Sequence, residues 1–389
     1  MKSRIAVFSF AAAALSASAA LVPVSPKDDA IVPLLPDAQK RILALPTKEA
    51  RNEALEPERH HATRTEPKPW RQPLPLVLSW QATAKEKGPW KVRISRNEDL
   101  SDGVDFLLES SNVKSAVGEC ATVWTCEPPR VNLETGRKYW WSVYSGDEAS
   151  VASGFVTEDT APRWILVEGR VKNIRDLGGW KTSSGGRVRQ GLVFRGQGLN
   201  DNSVDGKTPG RNRLYIEDAK YMKESLGIKT DLDLRSQGET AGMKVSPLGG
   251  DVRFISRSSP AYNGIFGRRE MDVMAQNFRV FCDRSNYPVY FHCIAGADRT
   301  GALAYVLNGL LGVDKEDLER DWESTFYPKL PGVKDKSEWR GSHYFDEGFA
   351  KYGGESVPLA KRIELYLIDC GVTAEEIARF REIMLAPAD

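Results

Sequence analysis

In the first half of the chain, apolar residues recur at every second position. Leu76, Leu78 and Trp80 alternate with other residues, as do Val92 and Ile94, and then Tyr139, Trp141 and Val143. Period two with β-branched and aromatic side chains predicts strands with one buried face. Lys87-Gly-Pro89 and Glu134-Thr-Gly136 punctuate them as turns. Several short strands between residues 69 and 159 predict an all-β sandwich domain. On the face opposite Trp141, Trp140 and Tyr144 offer either a glycan- or partner-binding platform or a second half-buried face.

From Arg163 onward the pattern changes. Val171–Asp176 and Gly191–Arg195 read as strands joined by the Ser184-Gly-Gly186 turn, and so do Ile228–Leu234 and Val252–Ser256. Between them Leu214, Tyr215, Ala219, Met222 and Leu226 make a helical stripe stopped by Gly227, and 271–281 reads as a second helix. A short apolar run, Val289 to Phe291, predicts a buried strand. Ala302, Leu303, Val306, Leu307, Leu310 and Leu311 then recur at three- and four-residue steps, the mark of one face of a buried helix. Strands alternating with helices over 160–389 predict an α/β fold, a central sheet flanked by helices on both faces. Leu318, Trp322 and Phe326 share a helical face. Residues 328–357 read as a loop-rich stretch that could form part of the pocket rim, 359–370 as helix, and Thr373 with Glu376 as a capping box opening the last one.

Two segments precede these domains. Lys2 and Arg4 stand before an uncharged run from Ile5 to Ala20 that contains the small-residue site Ala17-Ser-Ala19. This predicts a cleaved export signal over 1–20, with an uncleaved membrane anchor as the competing reading. Residues 21–68 read as a Pro-rich lead-in with short helical pieces near 37–45 and 48–55, bounded by Pro36, Pro46 and Pro57. His60 and His61 lie in it without a nearby Cys or further His, which favours a solvated linker over a metal pair.

Charge narrows the partners. The chain has 54 basic and 53 acidic residues, a net charge of +1, which supports neither nucleic-acid binding nor attachment to a membrane surface. Of the five cysteines, Cys120 and Cys126 are close enough in sequence for a small disulfide loop in an oxidising compartment. Cys282 is a candidate for a reversible bond that would shield Cys293 from oxidation.

The chemistry concentrates in Tyr290-Phe-His-Cys-Ile-Ala-Gly-Ala-Asp-Arg-Thr-Gly301. Cys293 and Arg299 are separated by five residues. A strand, a tight loop and a helix start aim backbone N–H groups at one spot beside the positive end of the helix dipole, which makes an anion site. The same field stabilises a thiolate at Cys293. Arg299 supplies a planar bidentate donor for phosphate oxygens, Gly296 allows a close backbone approach, and Thr300 can donate to the cysteine sulfur. The amides of Ile294, Ala295, Gly296, Ala297, Asp298 and Arg299 would form the cradle. Nucleophile, cradle and cation describe phosphate-ester cleavage through a phospho-cysteine intermediate, and no metal or organic cofactor is implied. His292 reads as a buried partner that orients the loop.

The run from His292 to Gly301 resembles the signature loop of cysteine-based protein tyrosine phosphatases, and most of all the atypical bacterial tyrosine/serine phosphatase family, in which Asp precedes Arg. Asn173-Ile-Arg-Asp-Leu-Gly-Gly179 and Asp233-Leu-Arg-Ser-Gln-Gly-Glu239 are similar to two further motifs of that family. The resemblance spans roughly 160–386. It implies that Asp298 is the general acid; orienting Arg299 is the other role open to it. Asp176 could hold a turn, and Arg235 could brace the site in an ion pair with Glu239. Ala297 stands where the family usually carries Lys, which weakens a lipid-phosphate reading. Leu-Ser-Trp80, Tyr-Trp-Trp-Ser-Val143 and Gly-Phe-Val-Thr157 resemble a fibronectin type III module. The expectation is an exported phosphatase that cleaves phosphotyrosine, with phosphoserine or phosphothreonine as further substrates. Its partner would be a phosphorylated protein or small phosphate ester, and an extracellular protein or glycan could engage the β-module. Two rivals stand beside it: an inositol-phosphate or phosphoinositide phosphatase, and a non-catalytic phosphate-recognising or adhesive surface protein.

Overall fold

A computed structural model describes residues 21–61, 73–82, 88–117, 122–128, 131–167, 169, 171–200, 214–240, 242–325 and 343–386. The expected export signal and Cys120 lie outside these residues. The chain forms two compact units.

The first unit comprises residues 1–32, 75–129 and 138–156. Its strands are β1 (Leu21–Ser25), β2 (Ala30–Val32), β3 (Leu78–Ala82), β4 (Trp90–Ser95), β5 (Val104–Leu108), β6 (Val113–Val117), β7 (Thr122–Cys126), β8 (Lys138–Ser145), β9 (Glu148–Ala149) and β10 (Ser153–Thr157). They form two sheets, one ordered β1-β3-β7-β6 and the other β2-β10-β8-β4-β5, with β9 paired to β8. Alternation decides the inside: Leu78 and Trp80 on β3, and Trp141 and Val143 on β8, are fully buried. Trp90 of the second sheet meets Trp80 and Trp124 of the first, each with ring centroids 5.3 Å apart. Trp140 and Tyr144, on the other face of β8, are half-buried beneath Lys138 and Lys91, whose ammonium groups lie 5.2 and 4.5 Å from the ring centroids. Cys126 is a buried free thiol, not half of a disulfide.

The second unit comprises 33–74, 130–137 and 157–389. Its sheet holds β11 (Arg175–Asp176), β12 (Val193–Gln197), β13 (Thr230–Asp233), β14 (Arg253–Ser256) and β15 (Val289–Cys293), in the order β11-β12-β15-β13-β14. All pairs are parallel except β11 with β12. The last strand in sequence is therefore central, and all five of its residues are buried, as a strand covered on both faces requires. Its helices are α1 (Asp37–Leu43), α2 (Lys48–His61), α3 (Ile216–Glu224), α4 (Gln237–Thr240), α5 (Arg268–Val280), α6 (Asp298–Leu310), α7 (Lys315–Ser324), α8 (His343–Ala350), α9 (Leu359–Asp369) and α10 (Ala374–Met384). Thr373 and Glu376 cap α10 reciprocally.

One further expectation needs correction. The lead-in is not a separate segment: β1 and β2 enter the first unit, whereas α1 and α2 belong to the second. Leu35, Ile42 and Leu43 join the second unit's core, and the buried Arg51 guanidinium donates to Glu323 at 2.6 Å. Within the loop-rich stretch 328–357 the sequence did not show α8, which brings Phe345 and Phe349 into that core. No helix among the described residues is long and apolar enough to cross a membrane.

Candidate active site

The site is built where β15 ends and α6 begins. Cys293 closes the strand, in register with Gln197 of β12. The chain turns through 294–297 and enters α6 at Asp298. Gly296 makes the turn with φ +68, and a Cβ there would lie 2.3 Å from the Gly196 carbonyl oxygen. No other residue type fits that close approach. Behind the loop α6 is buried on all sides from Thr300 to Leu310, and Gly301 lies against the Trp322 ring of α7. The helix, and so the loop it anchors, has little freedom to shift.

The loop carbonyls are pinned outward. Gly198 N donates to Ile294 O at 3.1 Å. Asn173 Nδ2 donates to both Ala295 O and Gly296 O at 3.1 Å, and Arg195 adds a bond to Gly296 O at 3.0 Å. Gly301 N donates to Ala297 O at 2.7 Å. A trans peptide points its N–H opposite to its C=O. The amides of Ala295, Gly296 and Ala297 therefore face the other way, beside the N-terminus of α6 and next to Cys293. Asn173 reaches the loop from a left-handed backbone conformation (φ 62), one that Asn tolerates.

Cys293 is 2% exposed. Arg299 sits at the mouth, 20% exposed, and Glu239 holds it in two 2.7 Å hydrogen bonds. That bidentate pairing keeps the Glu239 carboxyl down at about 2. Arg235 is not the partner of Glu239. It grips Asp233 through Nε and Nη2, the latter at 2.7 Å, and donates to Asn200 O. Two residues after Asp233 it closes a local clamp at the end of β13, while Glu239 swings from α4 to the loop arginine.

His292 is buried, with Nε2 3.0 Å from Asp231 and Nδ1 3.2 Å from the Cys293 carbonyl. Burial works against its charge, but Asp233 and Asp231 together raise its pKa above the ordinary value. An acceptor at each ring nitrogen suits the doubly protonated ring. Asp298 is half-buried; burial raises its pKa, opposed by a hydrogen bond from the Tyr262 hydroxyl. Thr300 does not reach the sulfur. It lies inside α6, with its hydroxyl oxygen buried and no hydrogen-bond partner. Asp176 is fully buried and accepts from Arg163, Gly178 N and Gly191 N, so it holds a turn. Cys282 is a free thiol that donates to Phe278 O, pushed up to about 12 by burial, and forms no bond with Cys293.

Sequence reasoning left three contributors without a role or unmentioned: Asn173, Tyr262 and Asp321. Asp321 of α7 accepts from Arg175 Nε at 2.7 Å and from Arg195 Nη1 at 2.6 Å. Nothing local in the sequence marks it, because its partners lie more than a hundred residues earlier.

Residues 167–329 match the model of a tyrosine phosphatase family. A Cupriavidus necator protein named as a tyrosine-protein phosphatase is 27% identical over 206 residues, covering 44% of this chain and 68% of that one. A tyrosine-protein phosphatase of Nostoc commune is 26% identical over 158 residues, covering 35% of this chain and 53% of the other, about half its length. Among solved structures, the core catalytic domain of the PP-IP phosphatase SIW14 from S. cerevisiae aligns with a TM-score of 0.25 and 14% identity, over 37% of this chain and 79% of that one. The chain is an enzyme of the phosphatase class, with a catalytic unit similar over residues 167–329 to the tyrosine phosphatase family.

Proposed function

We propose that the protein hydrolyses phosphotyrosine esters through a phospho-cysteine intermediate. The observation that carries this reading is the pinned loop: its fixed carbonyls leave three consecutive amides converging beside a buried cysteine, with Arg299 at the mouth. Cys293 Sγ attacks phosphorus and the P–O bond to the leaving group breaks. Asp298 gives its proton to the departing oxygen. A water then loses a proton to Asp298 and attacks phosphorus, the P–S bond breaks, and inorganic phosphate leaves. Arg299 and the amides of residues 294–299 hold the three non-bridging oxygens as charge builds on them. His292, held between Asp231, Asp233 and the Cys293 carbonyl, steadies the strand end; Arg235 braces Asp233.

Lys2, Arg4 and the uncharged run behind them support export of the protein. The two-sheet first unit supports a fibronectin type III-like sandwich that engages an extracellular protein or glycan.

Turnover of a phosphotyrosine peptide without added metal, beside Cys293→Ser and an inositol hexakisphosphate assay, tests the reading. Peptide activity lost in the variant is the expected result. Activity on the inositol compound alone keeps the thiolate mechanism and overturns the substrate. No turnover of either under reducing conditions turns the site into a phosphate-recognition module.

A further inference from the structure

Beneath the loop lies a cluster of charges that the reaction does not use directly. Arg175 and Arg195 are 0% and 1% exposed and Asp321 is 5% exposed. Two buried guanidinium groups share one carboxylate, leaving net positive charge within the core. Such a charge is costly to bury and needs compensation. Each arginine also has a second task. Arg175 donates to the side-chain oxygen of Asn173, whose amide pins Ala295 and Gly296. Arg195 donates to the Gly296 carbonyl itself. Asp321 orients both.

We propose that Arg195, held by Asp321 of α7, is a positioning residue of the catalytic loop: it fixes the Gly296 peptide and places a second, buried cation behind the loop that Cys293 opens. The surplus charge of the cluster finds its counter-charge in the ionised sulfur, so the pair of arginines favours the thiolate from within the core. Burial and Arg175 press the Arg195 guanidinium down to about 10, whereas Asp321 and Cys293 hold it up. The other charged groups about the sulfur are His292 with Asp231 and Asp233, Arg235, Arg299 with Glu239, and Asp298; none is altered by a change at Arg195 or Asp321.

This inference rests on the proposed thiolate mechanism, and its test separates the two. The pH dependence of Cys293 alkylation by iodoacetamide, read by peptide mass spectrometry, reports the thiolate without any turnover. Hydrolysis of p-nitrophenyl phosphate reports the reaction. In Arg195→Met the alkylation midpoint rises by about one pH unit or more, and kcat falls about a hundredfold. Arg195→Lys restores the midpoint but not kcat, because an ammonium keeps the charge and loses the planar fork. If Arg195→Met does not fold, Asp321→Asn decides. Removing the carboxylate enlarges the surplus positive charge, so the alkylation midpoint falls, while kcat falls about tenfold because Arg195 is no longer held to the Gly296 carbonyl. A midpoint and kcat unchanged from the parent overturn the proposal. A folded Arg195→Met with midpoint and kcat within twofold of the parent overturns the proposal. Parent protein that alkylates at a low midpoint yet hydrolyses nothing overturns the phosphatase reading and leaves the role of Arg195 in the thiolate standing.

Discussion

Asp298 is under two opposing influences, burial that favours its protonated form and a Tyr262 hydroxyl that favours the carboxylate. A general acid must be protonated before it acts, so kcat falls as pH rises through its pKa. Tyr262→Phe removes the donor to the carboxylate, so the pKa rises further. The alkaline limb of the pH–kcat profile should therefore move to higher pH, and Asp298→Asn should abolish that limb. A limb that moves downward, or that persists in Asp298→Asn, would assign the proton elsewhere. Cys293 and Arg299 could be singled out from the sequence because they lie in one contiguous string. Tyr262 comes from 36 residues before Asp298, and Asp321 from 146 residues beyond Arg175, so only the fold brings them in. Thr300 misled for the opposite reason. Proximity in sequence suggested a bond to the sulfur, whereas the buried Thr300 hydroxyl makes none.

At the scale of elements, the strand–loop–helix unit works as one piece. Gly296→Ala forces a Cβ to within 2.3 Å of the Gly196 carbonyl at a positive φ. The strain costs about 1–3 kcal/mol. Because it falls on the peptide that Arg195 and Asn173 hold, activity should drop about a hundredfold, with a much smaller effect on the melting temperature. Activity within twofold of the parent would mean that the amides need not be fixed. Periodicity revealed α6 as a helix but gave it only one buried face. In the structure it is buried all round, because Gly301, Ala302 and Ala304 are small enough for a second layer, with Trp322 of α7 packed directly on Gly301. Several strands of this sheet were read to begin a few residues too early, as with 171–176 against Arg175–Asp176. Apolar residues continue into the approach to each strand, and period alone does not show where pairing begins.

For the whole molecule, the order of segments matters more than their number. The chain contributes 33–74 to the catalytic unit, leaves for 75–129, returns for 130–137, leaves again, and comes back at 157. Proline and charge made 21–68 look like a linker, whereas burial of Leu35, Ile42 and Leu43 and the Arg51–Glu323 pair make its second half structural. Arg51→Met takes the cation from a buried carboxylate and should cost about 3 kcal/mol, seen as a lower urea midpoint with active-site chemistry preserved. An unchanged midpoint would show that α2 is dispensable.

The Arg51–Glu323 contact spans 272 residues. Contacts of that separation cannot form until nearly the whole chain has been made, and the closure entropy of the intervening loop must be met first. A polypeptide synthesised from its N-terminus therefore carries α1 and α2 exposed while the central strand β15, which ends at Cys293, is still to come. The last sheet strand to appear is the central one, which joins β12 on one side to β13 on the other, so assembly of the active site is a late event. The interval before it is when the chain is most exposed to aggregation, proteolysis and oxidation of its thiols.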